Sequence, residues 1–147
     1  MLQSQIELEV AFHHCDPMGV TWHGHYVDYL ETARSALLNC IGYNVRQMAA
    51  SGYAWPIIDL RVKYVKGTTF GQRLTVRARL EEYENRLKIG YTISDSSTGE
   101  IVTKASTTQV AVDQARGEMC FVSPQAFLDK VRAAVAAGPP ADGRLAS

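Results

Sequence analysis

Residues 13–26 read HHCDPMGVTWHGHY and hold all four histidines of the chain, one of its three cysteines, an Asp-Pro step and two glycines. Four readings compete for this stretch: a metal site, a Cys/His nucleophile, a carboxylate catalyst, or a plain turn before a helix. His13, His14, His23, His25, Cys15 and Asp16 are all metal donors. The histidines, however, are neighbours or one residue apart, and neither a helical i, i+4 pair nor a spaced C-x-x-C ligand set is present. No metal is expected. Cys15 stands next to His14, but a catalytic thiol needs its base nearby in space, and strand neighbours point to opposite faces. An inert thiol is the better reading. Asp16 is more informative. Its Asp-Pro step ends a strand, Gly19 permits a tight turn, and the chain then enters a helix. An Asx turn alone would account for an aspartate there. The alternative is chemical: a carboxylate on a rigid turn faces a helix N-terminus, whose unpaired N–H groups can stabilise an oxyanion. The backbone amides of His23 and Gly24 fall at that place, and Gly24 would let a ligand approach closely. A carboxylate plus an oxyanion hole suffices for acyl transfer, by direct attack or by activating water.

The flanking elements must hold these groups. Gln5 to Phe12 alternates apolar residues at Ile6, Leu8 and Val10, which predicts a first strand. The period then changes. Tyr26, Tyr29/Leu30, Ala33, Leu37 and Cys40/Ile41 follow three-and-four spacing, so residues 24–41 are expected as an amphipathic helix, with Asp28 and Glu31 near its N-terminal end and Gly42 just past its last turn. Asn44 reads as the N-cap of a short helix that Gly52 closes. From residue 54 the period is two. Ile58, Leu60, Val62 and Tyr64 share one face of a strand, with Asp59, Arg61 and Lys63 on the other. Leu74, Val76, Ala78 and Leu80 form an apolar face in the next strand, as do Leu87, Ile89, Tyr91 and Ile93 in the third. EIVTKASTTQVAV is expected as one long last strand. The short connections between these strands demand antiparallel pairing. Ser123-Pro124 reads as the N-cap and first residue of a terminal helix over 124–136. One domain over 1–137 is expected, with residues 138–147 as a flexible tail. A single sheet with one apolar face and one long striped helix buries both by wrapping the sheet around the helix, an α+β, hotdog-like arrangement of about five antiparallel strands.

Composition sets the outer limits. The 147 residues fit one domain, and 46% hydrophobic with 20% charged is ordinary for a globular chain. Fifteen basic and fifteen acidic residues cancel, which argues against nucleic-acid binding as the main task and eases self-association. Three cysteines without C-x-x-C spacing argue against a disulfide framework, and no signal peptide or membrane-spanning run is visible, so a cytoplasmic protein without membrane insertion is expected.

The run DPMGVTWHGHYVDYLETAR resembles the signature of hotdog-fold acyl-CoA thioesterases of the 4-hydroxybenzoyl-CoA thioesterase family. The matching positions are Asp16, Gly19, Val20, His23, Tyr26, Glu31, Ala33 and Arg34. LRVKYVKGTTFGQRLTVRARL is similar to that family's next strand pair, and the likeness spans about residues 5–125. The resemblance implies hydrolysis of an acyl-CoA or acyl-carrier-protein thioester, with CoA as part of the substrate and no cofactor. It implies Asp16 as nucleophile or general base and the His23 amide as the group that polarises the thioester carbonyl. Gly19, Val20, Gly24 and Tyr26 would contact substrate, and a homodimer or homotetramer is implied. The His23 side chain is closer to the short-chain and Tol–Pal-associated members than to benzoyl-specific ones. Glu31 is read as helix-stabilising, through Arg34 or Ser35. Arg61, Lys63, Lys66, Arg73, Arg77 and Arg79 are candidates for the CoA phosphates or simply a solvated sheet face. Tyr64 is read as core, with Trp55 and Phe70 left between core and acyl pocket. Two positions depart from the pattern: His13-His14-Cys15 stands where many relatives carry an acid before the aspartate, and Gln72 replaces a turn aspartate. A hotdog domain that binds acyl thioesters or a carrier protein without hydrolysis is the alternative. A dehydratase would need a His-Phe-Pro-Gly run that is absent.

Overall fold

The computed structural model describes residues 2–138, so all of the expected tail except Gly138 lies outside the described residues. Among the described residues, eight strands and three α-helices follow in chain order. They are β1 (Gln3–Glu9), α1 (His25–Ile41), α2 (Val45–Ala50), β2 (Tyr53–Ala54), β3 (Ile57–Tyr64), β4 (Arg73–Glu82), β5 (Leu87–Asp95), β6 (Ile101–Gln109), β7 (Val112–Asp113), β8 (Glu118–Met119) and α3 (Gln125–Ala137). The main sheet has five strands in the order β1-β4-β5-β6-β3, all pairs antiparallel. Helix α1 packs across β1 and β4 and also meets α3. This is the hotdog arrangement of a sheet around one long helix.

Periodicity explains the core. Leu74, Val76 and Ala78 on β4, and Leu87, Ile89 and Ile93 on β5, are fully buried, and they meet the apolar stripe Tyr26, Tyr29, Leu30, Ala33, Leu37 and Ile41 of α1. Ala33 and Ala36 are small enough to bring that helix close to the sheet. Gly42 ends α1 in the left-handed region at φ 80°, and its N–H satisfies the carbonyls of Leu38 and Asn39. Asn44 caps α2 through a reciprocal pair: its side chain accepts from the Arg46 and Gln47 amides, while Gln47 Oε1 accepts the Asn44 N–H at 2.6 Å.

Four expectations need correction. The first strand ends at Glu9, and Phe12–His14 form a single 3-10 turn, because Val10 is tied instead to the β3–β4 connection through Gln72 O and the Gly71 N–H. The apolar face of β3 is not core. As an edge strand it lies beyond the reach of α1, which leaves Ile58 56%, Leu60 44% and Tyr64 47% exposed. The long last strand breaks after Gln109. Its end, β7, joins β2 and β8 in a second, three-stranded sheet. The N-cap of α3 is Pro124 and not Ser123, whose N–H is held by Glu84 O at 2.9 Å and whose side chain makes no cap bond. Among the described residues no helix is long and apolar enough to cross a membrane.

Candidate active site

The loop between β1 and α1 is fixed by backbone bonds on both sides. Asp16 N–H donates to Val20 O and Gly19 N–H returns to Asp16 O, each at 2.9 Å. Gly19 sits at φ +82°, a conformation side chains resist, which closes this turn. Asp16 Oδ1 accepts the Met18 N–H at 2.9 Å. The Asx turn is therefore real, and it holds the carboxylate in a fixed direction instead of competing with a chemical role. Trp22 N–H donates to His14 O at 2.8 Å and Thr21 N–H to Thr68 O at 2.8 Å, so the 3-10 turn and the β3–β4 connection grip the segment from two sides.

A cavity of about 300 Å³ opens beside this loop, lined by Asp16, Val20, Thr21, His23, Tyr26 and Tyr64, with Val65, Lys66 and Gly67 at its other wall. Asp16, Val20, His23 and Tyr26 are thus brought together. Gly19 and Gly24 stand outside the lining, the first at the turn and the second as N-cap of α1. Among the described residues, neither the His23 nor the Gly24 N–H donates to a protein acceptor, as expected for a helix N-terminus. Behind the cavity runs a buried hydroxyl chain: Thr21 Oγ1 to Thr68 Oγ1 at 2.6 Å, and Tyr26 OH to Thr68 Oγ1 at 2.9 Å. It satisfies three hydroxyl groups at once and fixes the Tyr26 ring.

The histidines divide into two groups. His13, His14 and His25 gather on the far side of the loop, with His14 stacked on His25 at 4.3 Å and edge-on to His13 at 4.5 Å. His14 Nδ1 lies 3.0 Å from Tyr29 OH, and His25 Nδ1 lies 3.1 Å from Asp28 Oδ2. Desolvation, then the neighbouring His25 and His13, hold the His14 imidazole below its usual range, while burial pushes the Tyr29 phenol up to about 12. His23 alone turns into the Asp16 cavity, next to Tyr64. The four histidines crowded in sequence are thus split in space, three packed ring on ring and His23 facing the cavity.

Tyr64 is the residue sequence reasoning misplaced. It belongs to the cavity and not to the core, and its hydroxyl donates to His23 O at 2.8 Å. The available signal was its position on the apolar face of a strand that ends next to the turn. Trp55 is core, buried against Phe127 with its Nε1–H on Tyr43 OH, whereas Phe70 is exposed against Phe12. Of the six candidate cations only Lys66 lines the cavity, paired there with Glu100. Arg61, Arg73 and Arg79 pair with Asp59, Glu7 and Glu81, and Arg77 bonds Gln5. Glu31 pairs with Arg34 on α1. Gln72 fills the place of the missing turn aspartate: it accepts the Thr69 N–H and donates to Asp95 Oδ2 at 2.7 Å, joining the β3–β4 turn to the end of β5.

Residues 10–137 match the family described as the Thioesterase-like superfamily. The chain belongs to that superfamily. Its relatives include a Synechocystis protein named as an esterase, 33% identical over 116 residues, or 78% of this chain and 70% of that one. A Bacillus subtilis protein named as an acyl-CoA thioesterase is 30% identical over 112 residues, 76% of this chain and 80% of its own. Among solved structures, the DHNA-CoA thioesterase of Staphylococcus aureus superposes with a TM-score of 0.79 at 25% identity, covering 93% of this thioesterase-like chain and 91% of that one.

Proposed function

We propose that this thioesterase-like protein hydrolyses an acyl thioester, of coenzyme A or of an acyl-carrier protein, to the free acid and the thiol. The observation that carries the reading is a shared cavity, lined both by the Asp16 carboxylate and by His23 at the N-terminus of α1. Asp16 acts either as the base that takes a proton from attacking water, or as a nucleophile whose acyl–aspartyl anhydride is hydrolysed by water in a second step to release the acid. The N–H groups of His23 and Gly24 receive the charge that develops on the thioester oxygen. Collapse of the tetrahedral intermediate expels the thiolate, which is protonated to the free thiol. Val20 and Tyr26 shape the wall against the acyl-thioester unit, and the Gly19 turn sets the direction of the carboxylate. The reaction uses no metal or organic cofactor, and CoA enters only as part of the substrate.

The same reading includes a homo-oligomer. Ile58, Leu60 and Tyr64 leave an apolar strip on the edge strand next to the cavity, the kind of surface a second copy covers. A reducing cytoplasm suits a chain whose Cys15, Cys40 and Cys120 form no disulfide. The test is release of free thiol from a panel of acyl-CoA and acyl-carrier-protein substrates, in the presence of chelator, with wild type and Asp16→Asn compared. Turnover that Asp16→Asn abolishes is expected. Binding of the same substrates without turnover by the wild type would replace hydrolysis with a pure binding role.

A further inference from the structure

We infer that Tyr64 positions the oxyanion donors: by donating to the His23 carbonyl, its hydroxyl fixes and polarises the His23–Gly24 peptide, whose N–H is one of the two proposed donors. The inference rests on the proposed role of that peptide and adds a residue from another element to it. Near a helix N-terminus each carbonyl ordinarily accepts from an N–H three or four residues on. Here Trp22 O takes the His25 N–H at 3.0 Å and Gly24 O takes the Val27 N–H at 3.2 Å. The partner of the carbonyl between them is the Tyr64 hydroxyl at 2.8 Å, 41 residues away on the edge strand β3.

The phenol is itself held. Its ring meets Tyr26 edge-on at 5.2 Å and His23 edge-on at 6.4 Å. Tyr26 is in turn fixed by its bond to Thr68, and Thr68 by its bond to Thr21. One cross-link therefore ties β3, the β3–β4 connection and the first turn of α1 around one cavity. A hydrogen bond accepted at the carbonyl end of a peptide strengthens donation from its N–H end, by about 10–30% per bond. It also prevents the peptide from rotating as charge builds on the thioester oxygen, where preorganised donors act most strongly. Burial and the adjacent Tyr26 raise the Tyr64 phenol above its ordinary range, so it stays a donor throughout neutral and mildly alkaline pH.

Tyr64→Phe removes the hydroxyl and keeps the ring. Loss of a whole oxyanion donor costs about 10²–10³ in kcat, and loss of the group that orients one is expected to cost about tenfold. KM should stay within about twofold, because the bond matters most in the transition state. The pH profile should keep its shape, because Tyr64 transfers no proton. A second measurement separates this role from simple structural support. In the Asp16→Asn background, the thioester carbonyl stretch of a bound, unreacted acyl-CoA should lie below its value in solution. Adding Tyr64→Phe should reverse part of that shift at unchanged thermal midpoint. Wild-type kcat in Tyr64→Phe, a change in KM alone, or an unmoved carbonyl frequency would each overturn the inference. Those results would leave the hydrolytic reading intact if Asp16→Asn is still inactive, so the two failures are distinguishable.

Discussion

Gly24→Ala is the sharpest small perturbation of the helix N-terminus. The backbone at Gly24 is helical, with φ −70° and ψ −25°, so alanine meets no conformational penalty there. Space decides the outcome. A Cβ would lie 2.1 Å from Trp22 Cζ3 and 2.3 Å from Cη2, against 3.4 Å for an ordinary contact. The indole must therefore move by about 1.3 Å, the difference between those distances. Trp22 is 47% exposed and can swing outward, but it then gives up its ring contacts with His23 at 5.0 Å and His25 at 5.4 Å. Such contacts and the overpacking together set a cost of about 1–2 kcal/mol, or about 2–8 °C in Tm for a chain of this size. Catalysis should suffer more than stability. Trp22 is covalently next to His23, and a displacement of this size near the reacting atoms costs on the order of 10–100-fold in kcat. Thermal unfolding and steady-state thioester hydrolysis measure both effects, with Trp22→Ala and the double variant completing a cycle. The clash mechanism predicts that Gly24→Ala costs far less in the Trp22→Ala background. An equal cost in both backgrounds, or a wild-type Gly24→Ala, would refute it.

Two further outcomes follow from the rest of the molecule. His14 is held below the ordinary 6.5 of an unfolded histidine, by desolvation first and by His25 and His13 second. On acidification the unfolded chain therefore takes up this proton before the folded one, and the His14 contribution to stability, intact above 6.5, is lost as pH falls below it. The Tm of the wild type should decline from pH 7.5 to 5.5 more steeply than that of His14→Gln, and parallel curves would remove His14 as the cause. For the oligomer, Leu60→Arg puts a charge into the apolar strip of β3 and should shift the protein to monomer in sedimentation velocity at unchanged far-UV circular dichroism. A wild type that sediments as a monomer would contradict the proposed assembly.

The sequence carried the inner elements well because their burial is one-sided. Alternation on β4 and β5, the stripe of α1 and the Asn44–Gln47 cap each answer to local chemistry, and the structure follows them closely. It carried β3 poorly, because alternation records an apolar face and cannot say whether this chain or another copy covers it. The two-residue strands β2, β7 and β8 leave no periodic trace at all. Of the residues that line the cavity, Asp16 and His23 were legible from the turn and the helix start. Tyr64 was not, since its place there depends on a strand 41 residues away meeting one orphan carbonyl. The histidine crowding marks a segment that borders the cavity, but three of the four rings pack with one another away from it.

The central claim is that one carboxylate, working beside a helix N-terminus, cleaves a thioester. Thiol release from the acyl-CoA panel by wild type and Asp16→Asn, side by side and at matched folded concentration, tests it most directly. The account predicts turnover by the wild type on at least one acyl-CoA and a loss of about 10³-fold or more in Asp16→Asn, with substrate binding retained. Full activity in Asp16→Asn would contradict it.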